Sequence, residues 1–437
     1  MTDNYEDNSE YGERYGLAYG RIKLINSETA GSGSPLPKEL SAYFHKTSAF
    51  IMETCGAYNL ANSGMLDKMD ITGLKKLNQS LYEDINGSSY IHSYAEPDFA
   101  AGELGKDIGT LLCVLYTEMR TGIVYAFENR LSFLVPLLEL YIQVYNILED
   151  NPSADTEIHD AIYYYFFDYA DIMAAARIRS LLDPGMSFAT DIIMQKNLSE
   201  PSYLYLFGEY ISENELKTSE YLSTLPESSI KDMASTFTEG YRKGFEAYNI
   251  DLSKKGTVNI RYVLGFERIV REAVRQFGEM GLKPCIYRAE RGLIYRSSGH
   301  KNGYYGGNAN RQYDYDHRMD ECIIFDKAFA DRRLSAQRKA FEDMKELASL
   351  YAGPAVMETF GETDFTAVDK KTAPRFNEKQ QEQRTNFMAA SSLLTNEFIP
   401  GDTTSFTIIA YPVPSVGSNY QEIFKETIKV NTLDPSL

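Results

Sequence analysis

The sequence contains no tryptophan, only five histidines and four cysteines, and far fewer basic than acidic residues. The cysteines form no CxxC pair, which excludes a zinc knuckle or a disulfide framework and predicts ordinary thiols in a reducing cytosol. They are Cys55, Cys113, Cys285 and Cys322. The formal net charge of -18 argues against a nucleic-acid partner and against docking on an anionic membrane, because both require a surplus of Lys and Arg.

Segments that would direct the chain to or across a membrane are also lacking. The first residues, "MTDNYEDNSEYGERYG", are acidic and polar, the reverse of a secretory signal. The most apolar stretch, 131–147, is interrupted by Pro136 and Glu139 and is too short to span a bilayer comfortably. We therefore predict a buried helix in a soluble, cytoplasmic protein.

The pattern of apolar residues changes near residue 250. Residues 40–250 have apolar positions recurring at three and four, which predicts a helical domain. Residues 1–39 are predicted to be a flexible leader with a short helix. From Thr257 onward, strand-like and helix-like segments alternate. The predicted strands are 257–264, 283–289, 354–361 and 405–412, and the predicted helices are 266–281, 325–353, 377–398 and 419–430.

This alternation is typical of parallel strands joined by helical crossovers. The predicted fold class is therefore α/β with a large all-α N-terminal region. A helical bundle is followed by a small doubly wound, mostly parallel sheet domain over residues 251–437. Ligands of such sheets bind at the carboxyl ends of the strands, where Glu358 or Glu362 could contact one. The alternative, that these glutamates belong to a solvated strand end, is preferred.

Common catalytic motifs are absent. The sequence has no GxGxxG, Walker, GxSxG or zinc-type HExxH pattern. The densest polar cluster is "DYDHRMDE" at 314–321, which follows a Gly- and Tyr-rich loop (299–310) that contains His300. Its candidate site residues are Asp314, Asp316, His317, Asp320 and Glu321.

Two interpretations of this cluster remain open. Carboxylates and an imidazole could bind a divalent metal or move protons. Alternatively, the acidic residues cap and open the long helix that follows, where free amides and the helix dipole favour negative charge. The spacing matches no established metal motif, so the second interpretation is preferred, and no catalytic or metal-binding residue is assigned.

Two segments of the α/β half carry a resemblance to a known family. Residues 257–289, "TVNIRYVLGFERIVREAVRQFGEMGLKPCIYRA", resemble the opening unit of the aminopeptidase T type metallo-aminopeptidases. Residues 405–435, "SFTIIAYPVPSVGSNYQEIFKETIKVNTLDP", resemble that family's strand ending in Tyr-Pro or Phe-Pro, its helix and its Asp-Pro. The segments 312–334 and 351–362 are similar to a variant found in leucyl aminopeptidases of Firmicutes, in which a helical region precedes the peptidase domain.

The resemblance implies an activity and a cofactor. Such enzymes use two divalent metals (zinc, cobalt or manganese) to activate water and release N-terminal residues such as leucine from peptides. Their ligands include a His-x-Asp element in a carboxy-terminal half, and this sequence contains no His-x-Asp. No ligand is therefore carried over. The chain is expected to be the amino-terminal portion of such an enzyme, binding no metal and inactive alone because that half is missing or separately encoded.

Two other hypotheses stay open. The chain could be a non-catalytic binding or assembly module that forms a homodimer or pairs with a partner chain. An exposed apolar surface near "AYPVPSVG" (410–417) would favour it. Alternatively, Asp316, His317 and Asp320 could bind the metal of an unrelated hydrolase.

Overall fold

A computed structural model describes residues 10–31, 33–296 and 302–431. The predicted leader's first nine residues, His300 and the last six residues lie outside the described part. Before residue 250, the described residues form twelve α-helices. These are α1 (Gly12–Glu28), α2 (Lys38–Asn62), α3 (Ile71–Tyr82), α4 (Pro97–Leu104), α5 (Lys106–Met119), α6 (Gly122–Phe127), α7 (Leu131–Asp150), α8 (Asp155–Asp168), α9 (Ala170–Leu182), α10 (Phe188–Gln195), α11 (Glu213–Thr224) and α12 (Glu227–Ala247).

The rest of the chain alternates strands and helices, as predicted. The strands are β1 (Thr257–Arg261), β2 (Lys283–Cys285), β3 (Tyr351–Phe360) and β4 (Thr407–Pro412). The helices are α13 (Glu267–Glu279), α14 (Arg311–Asp316), α15 (Lys327–Asp343), α16 (Lys345–Leu350), α17 (Glu378–Phe398) and α18 (Tyr420–Asn431).

The four strands form one parallel sheet in the order β2-β1-β3-β4. The chain moves from β1 outward to β2, crosses back to β3 and continues outward to β4. The point at which the strand order reverses therefore lies between β1 and β3. This confirms the predicted fold class of a helical region followed by a small parallel sheet.

The start of β3 differs from the prediction. The long helix predicted over 325–353 ends earlier, since residues from Tyr351 onward pair with β1, where Thr257 lies opposite Tyr351. A register shift follows between Thr257 and Asn259. Gly353 has a φ of +113°, and a Cβ there would lie 1.9 Å from the carbonyl oxygen of Ser405. Glycine is required here because the backbones of β3 and the chain entering β4 approach so closely.

The two halves share a hydrophobic core. The main cluster of buried side chains runs from α1 to α18 without a break at residue 250. Within the predicted leader, Ile22 and Ile25 of α1 are fully buried in this cluster. Helix α15 lies against α9, where Arg332 binds both carboxylate oxygens of Asp171 at 2.9 Å. The change of pattern near residue 250 is thus a change of architecture within one packed body.

Helix α7 contains the most apolar stretch of the chain. It is the one helix among the described residues with the length and hydropathy of a membrane span, and 67% of its most apolar window is buried inside the protein. Such burial is that of a core helix in a soluble protein, as predicted. Pro136 lies in its first two turns, where it interrupts few hydrogen bonds of the helix.

Candidate functional site

The cluster 314–321 does not cap the long helix that follows it, so that part of the prediction is wrong. Asp314 and Asp316 lie within the short helix α14, and Asp320 and Glu321 lie in a 3-10 turn. The N-cap of α15 is Asp326, which accepts a hydrogen bond of 2.7 Å from the amide of Phe329. The cluster therefore needs another explanation.

His317 and Asp320 form a completely buried pair. The Nδ1 of His317 lies 2.8 Å from Oδ2 of Asp320, and its Nε2 lies 2.6 Å from the carbonyl oxygen of Ala95. Asp316 accepts hydrogen bonds from the hydroxyl of Tyr90 (2.8 Å) and the amide of Gln312 (2.7 Å). Burial raises the pKa of Asp316. The side chains of Asp316 and His317 thus hold α14 against the segment that contains Tyr90 and Ala95.

The remaining carboxylates of the cluster contact cations and amides on other elements. Glu321 is buried between Arg333 and Arg384, with Arg384 Nε 3.4 Å from its carboxylate. Asp314 accepts a hydrogen bond from Asn308. Since each carboxylate has a separate partner, their oxygens do not converge on a point.

These residues do not fit the divalent metals that the resemblance implies. A metal needs three or four converging ligands, and the ring nitrogens of a ligating histidine cannot both face protein oxygens. His317 uses both its nitrogens in this way. Nowhere in the described ranges do three or more His, Cys, Asp or Glu side chains form a group that could hold a metal ion. No chemical step is therefore derived through a metal on these residues.

The cluster lies beside an arginine-rich cavity of about 480 Å³ between the two halves of the protein. We call it the arginine cavity below. Tyr313 and Asp314 of α14 line it directly. The guanidinium groups in its wall belong to Arg120, Arg291, Arg296, Arg318 and Arg384. The carboxylates are Glu209, Glu290 and Asp314, and the aromatic rings are Tyr82, Tyr313 and Phe376.

Most of these arginines form ion pairs with carboxylates in or behind the cavity wall. Arg120 is buried against Asp84 at 2.5 Å. Arg291 lies 3.2 Å from Glu209, whose pKa is lowered below its usual value despite burial, because Arg291 and Arg288 are adjacent. The wall thus contains five guanidinium groups and three carboxylates.

Arg296 has the longest ion-pair distance of the five. Its side chain is only 9% exposed, and its Nη1 has no hydrogen-bond partner within the described ranges. The nearest carboxylate oxygen, Oδ2 of Asp320, is 3.9 Å away. Its guanidinium lies 5.5 Å from the ring centre of Tyr313, while that of Arg120 lies 6.0 Å from the same ring.

A second cavity of about 680 Å³ lies across the segment 289–291 from the first. Its wall contains Glu118, whose pKa is raised to about 7 by burial although the amide of Leu293 donates a 2.8 Å hydrogen bond to it. Glu290 lines both cavities, forms an ion pair with Arg177, and has a pKa raised by burial. Acidic and basic side chains are balanced in this second cavity.

The carboxyl ends of the strands present fewer polar groups. Glu358 is exposed on β3, and Glu362 forms an ion pair with Arg311 at 2.9 Å. The chain leaving β1 is held by Tyr305, whose carbonyl accepts a 2.9 Å hydrogen bond from the amide of Leu264. Glu358 and Glu362 thus lie at the carboxyl end of β3, as predicted, and Glu362 has a basic partner.

Comparison with known proteins finds no match for this chain among family profiles, curated proteins or solved structures. Sequence reasoning placed attention on 314–321 but missed the arginine cavity. The signal that could have revealed it is "RAERGLIYR" (288–296), which contains Arg288, Arg291 and Arg296 in an otherwise strongly acidic chain. Arg120, Arg318 and Arg384 reach the cavity only through the fold.

Proposed function

We propose that this chain is the amino-terminal portion of a metal-dependent aminopeptidase of the aminopeptidase T type, which releases N-terminal residues such as leucine. The observation that carries the proposal is the packing between the two segments that bear the resemblance. Phe266, between β1 and α13, stacks on Tyr411 of β4 at 5.7 Å and on Phe424 of α18 at 6.4 Å. Segments more than a hundred residues apart in sequence thus pack against one another.

In this proposal the chain binds and orients peptide, and the metal pair of the family supplies activated water when it is present. Open parallel sheets bind ligands outside the carboxyl ends of their strands, next to the point where the strand order reverses. Here that point lies between β1 and β3, close to Glu358, Glu362 and Arg311. We assign these residues to the rim of the peptide cleft and assign no metal ligand to this chain.

The experiment is an assay of leucine p-nitroanilide hydrolysis with zinc, cobalt or manganese. The purified 437-residue chain alone is expected to show no metal-dependent hydrolysis. Adding the metal-binding half of an aminopeptidase T type enzyme as a separate chain is expected to raise the rate above that of either chain alone. Metal-dependent hydrolysis by this chain alone would contradict the assignment, and so would the absence of any gain on mixing.

We also propose a cytosolic location. All four cysteines are buried free thiols, and burial raises the pKa of Cys55, Cys285 and Cys322 to about 12. Thiols kept reduced and protonated in this way are typical of proteins in a reducing compartment. Retention of all four thiols after purification from cytosol, measured by alkylation in denaturant, would support this location, and a disulfide would contradict it.

A second candidate function, an assembly module, is favoured by β4, which pairs with no strand other than β3 among the described residues. Phe406 and Ile408 beside and within β4 are 61% and 56% exposed. The amides of Ser405 and Val413 point toward β3, so those of the even-numbered residues between them point away, because successive strand residues alternate. An edge strand with exposed apolar side chains can pair with a strand of a partner chain. Light scattering at increasing concentration tests whether two copies associate through it.

A further inference from the structure

The guanidinium of Arg296 is only partly satisfied: its Nε donates a 2.8 Å hydrogen bond to the carbonyl of Arg291, but its Nη1 has no partner among the described residues. A buried charged donor without an acceptor is costly, and native structures usually satisfy such groups with a ligand, an ion or water. Asp320 is 3.9 Å away and is already bound by His317. The side chain that carries this free Nη1 lines the arginine cavity. Arg291 lines it too, and its Nη2 has no hydrogen-bond partner among the described residues, although Oε2 of Glu209 lies 3.2 Å away. An anionic group bound in the cavity would complete both.

Asp314 supplies the opposite charge in the same cavity. It accepts a hydrogen bond from Asn308 and forms no ion pair within 4.0 Å with any described residue. Its place at the start of α14 puts a carboxylate in the wall that also contains Tyr313. Its charge helps to raise the pKa values of Arg291 and Arg296, although neither forms an ion pair with it. A ligand that carried only negative charge would be repelled by this carboxylate, whereas an ammonium group would pair with it.

The cavity also has an apolar wall and a suitable size. Tyr82, Tyr313 and Phe376 present ring surface, which suits an apolar side chain. A volume of about 480 Å³ lies in the range of small-molecule sites, which is roughly 300–1,000 Å³. Cationic, anionic and apolar surfaces are thus brought together in one small space.

We propose that the arginine cavity binds a free α-amino acid with an apolar side chain. Its carboxylate contacts Arg296 and Arg291, its ammonium group contacts Asp314, and its side chain lies against Tyr313 and Phe376. The inference stands on the cavity alone and needs neither a metal nor turnover. Failure of the proposed aminopeptidase function would therefore leave it intact, and its own failure would leave that function intact.

The test is calorimetric titration of the metal-free 437-residue chain with L-leucine, N-acetyl-L-leucine, L-leucinamide and inorganic phosphate. N-acetyl-leucine lacks the ammonium charge and leucinamide lacks the carboxylate. Leucine is expected to bind, and each of the two analogues is expected to bind roughly tenfold or more weakly, since a charged hydrogen bond is lost. Phosphate is expected to bind more weakly than leucine.

Variants identify the cavity as the site. R296Q is expected to weaken leucine binding by roughly tenfold or more. R338Q is the matched control, because Arg338 forms an ion pair with Glu397 on the surface. D314N is expected to weaken leucine binding and to strengthen N-acetyl-leucine binding, because the substitution removes a carboxylate that repels a purely anionic ligand. Its control is D331N, because Asp331 contacts Lys327 on the surface of α15.

R296Q changes a buried residue, so its fold is checked by circular dichroism. If R296Q does not fold, D314N still tests the proposal, because Asp314 is only half-buried. No leucine binding would overturn the proposal. Equal or tighter binding of phosphate or N-acetyl-leucine would also overturn it, because it would indicate a simple anion site. Unchanged leucine affinity in D314N would overturn it as well.

Discussion

His317 and Asp320 form a buried pair at 2.8 Å, and the same carboxylate is the one nearest to Arg296. The pair therefore connects the cluster at 314–321 with the wall of the arginine cavity. His317 lies between two oxygen atoms, at 2.8 and 2.6 Å, so its role is structural. Its partner Asp320 lies 3.9 Å from the guanidinium of Arg296. Within the acidic cluster, Glu321 thus pairs with arginines, and Asp320 lies near one.

Removing the imidazole should destabilise the protein strongly. H317A leaves Asp320 buried without its partner, and breaking a buried pair from one side costs about 3–5 kcal/mol. Urea unfolding measures the loss. H92A is the control, because His92 is exposed, and its free energy of unfolding should change by no more than about 0.5 kcal/mol. A loss of similar size in both variants would contradict the buried pair.

Glu118 should make stability depend on pH. Burial raises its pKa from 4.5 to about 7, so the folded state holds a proton that the unfolded state has released between these values. The contribution is fully present below about pH 4.5 and is lost as pH rises through about 7. Between pH 5 and 7.5, Glu118 should lower the free energy of unfolding of the wild type by up to about 3 kcal/mol. E118Q should lack this decrease.

The measurement is urea unfolding at both pH values. Glu267, buried with a pKa also raised to about 7, should leave a similar residual slope in E118Q. The control is E213Q on the surface of α11, where the side chain is 75% exposed and the wild-type slope should persist. A slope in E118Q as steep as in the wild type would show that Glu118 is ionised in the folded protein.

Gly353 should not tolerate a side chain. G353A would place a Cβ 1.9 Å from the carbonyl of Ser405 at a φ of +113° and should cost at least about 2 kcal/mol. G278A is the matched control, because a Cβ at that position in α13 meets nothing within 4 Å. It should stabilise the helix by about 0.5–1 kcal/mol. Thermal unfolding should give a lower midpoint for G353A and a higher midpoint for G278A than for the wild type.

The edge of β4 should control any self-association. I408K places a charge on the exposed edge strand and should lower the apparent mass in concentrated solution if copies pair there. L17K is the control, because Leu17 is 69% exposed on α1, away from the sheet. If association is unchanged in I408K but reduced in L17K, the copies associate through another surface.

The sequence predicts those parts of the fold that depend on local pattern. The stripe of apolar residues predicts α13 over 266–281, and the structure has it over Glu267–Glu279. The pattern predicts a helix up to residue 353, although α16 ends at Leu350 and β3 begins at Tyr351. The residues before Tyr351 are good helix formers, and the local sequence does not show where the helix ends. Pairing with Thr257 is a long-range contact that the local sequence does not report.

The candidate site is harder to predict for the same reason. Asp314 and its neighbours are dense in sequence and could be recognised. Their partners are distant: Tyr90 for Asp316, Ala95 for His317 and Arg384 for Glu321. A cluster of carboxylates has the same sequence pattern whether it binds a metal or arginines, and only the fold distinguishes the two.

The most direct measurement is equilibrium dialysis of zinc and manganese against the wild-type chain and H317A. The account predicts no metal bound by the wild-type protein beyond that bound by H317A, because both imidazole nitrogens and the cluster's carboxylates are engaged by protein groups. One equivalent of tightly bound metal that is lost in folded H317A would show that the cluster is a metal site and would contradict the account.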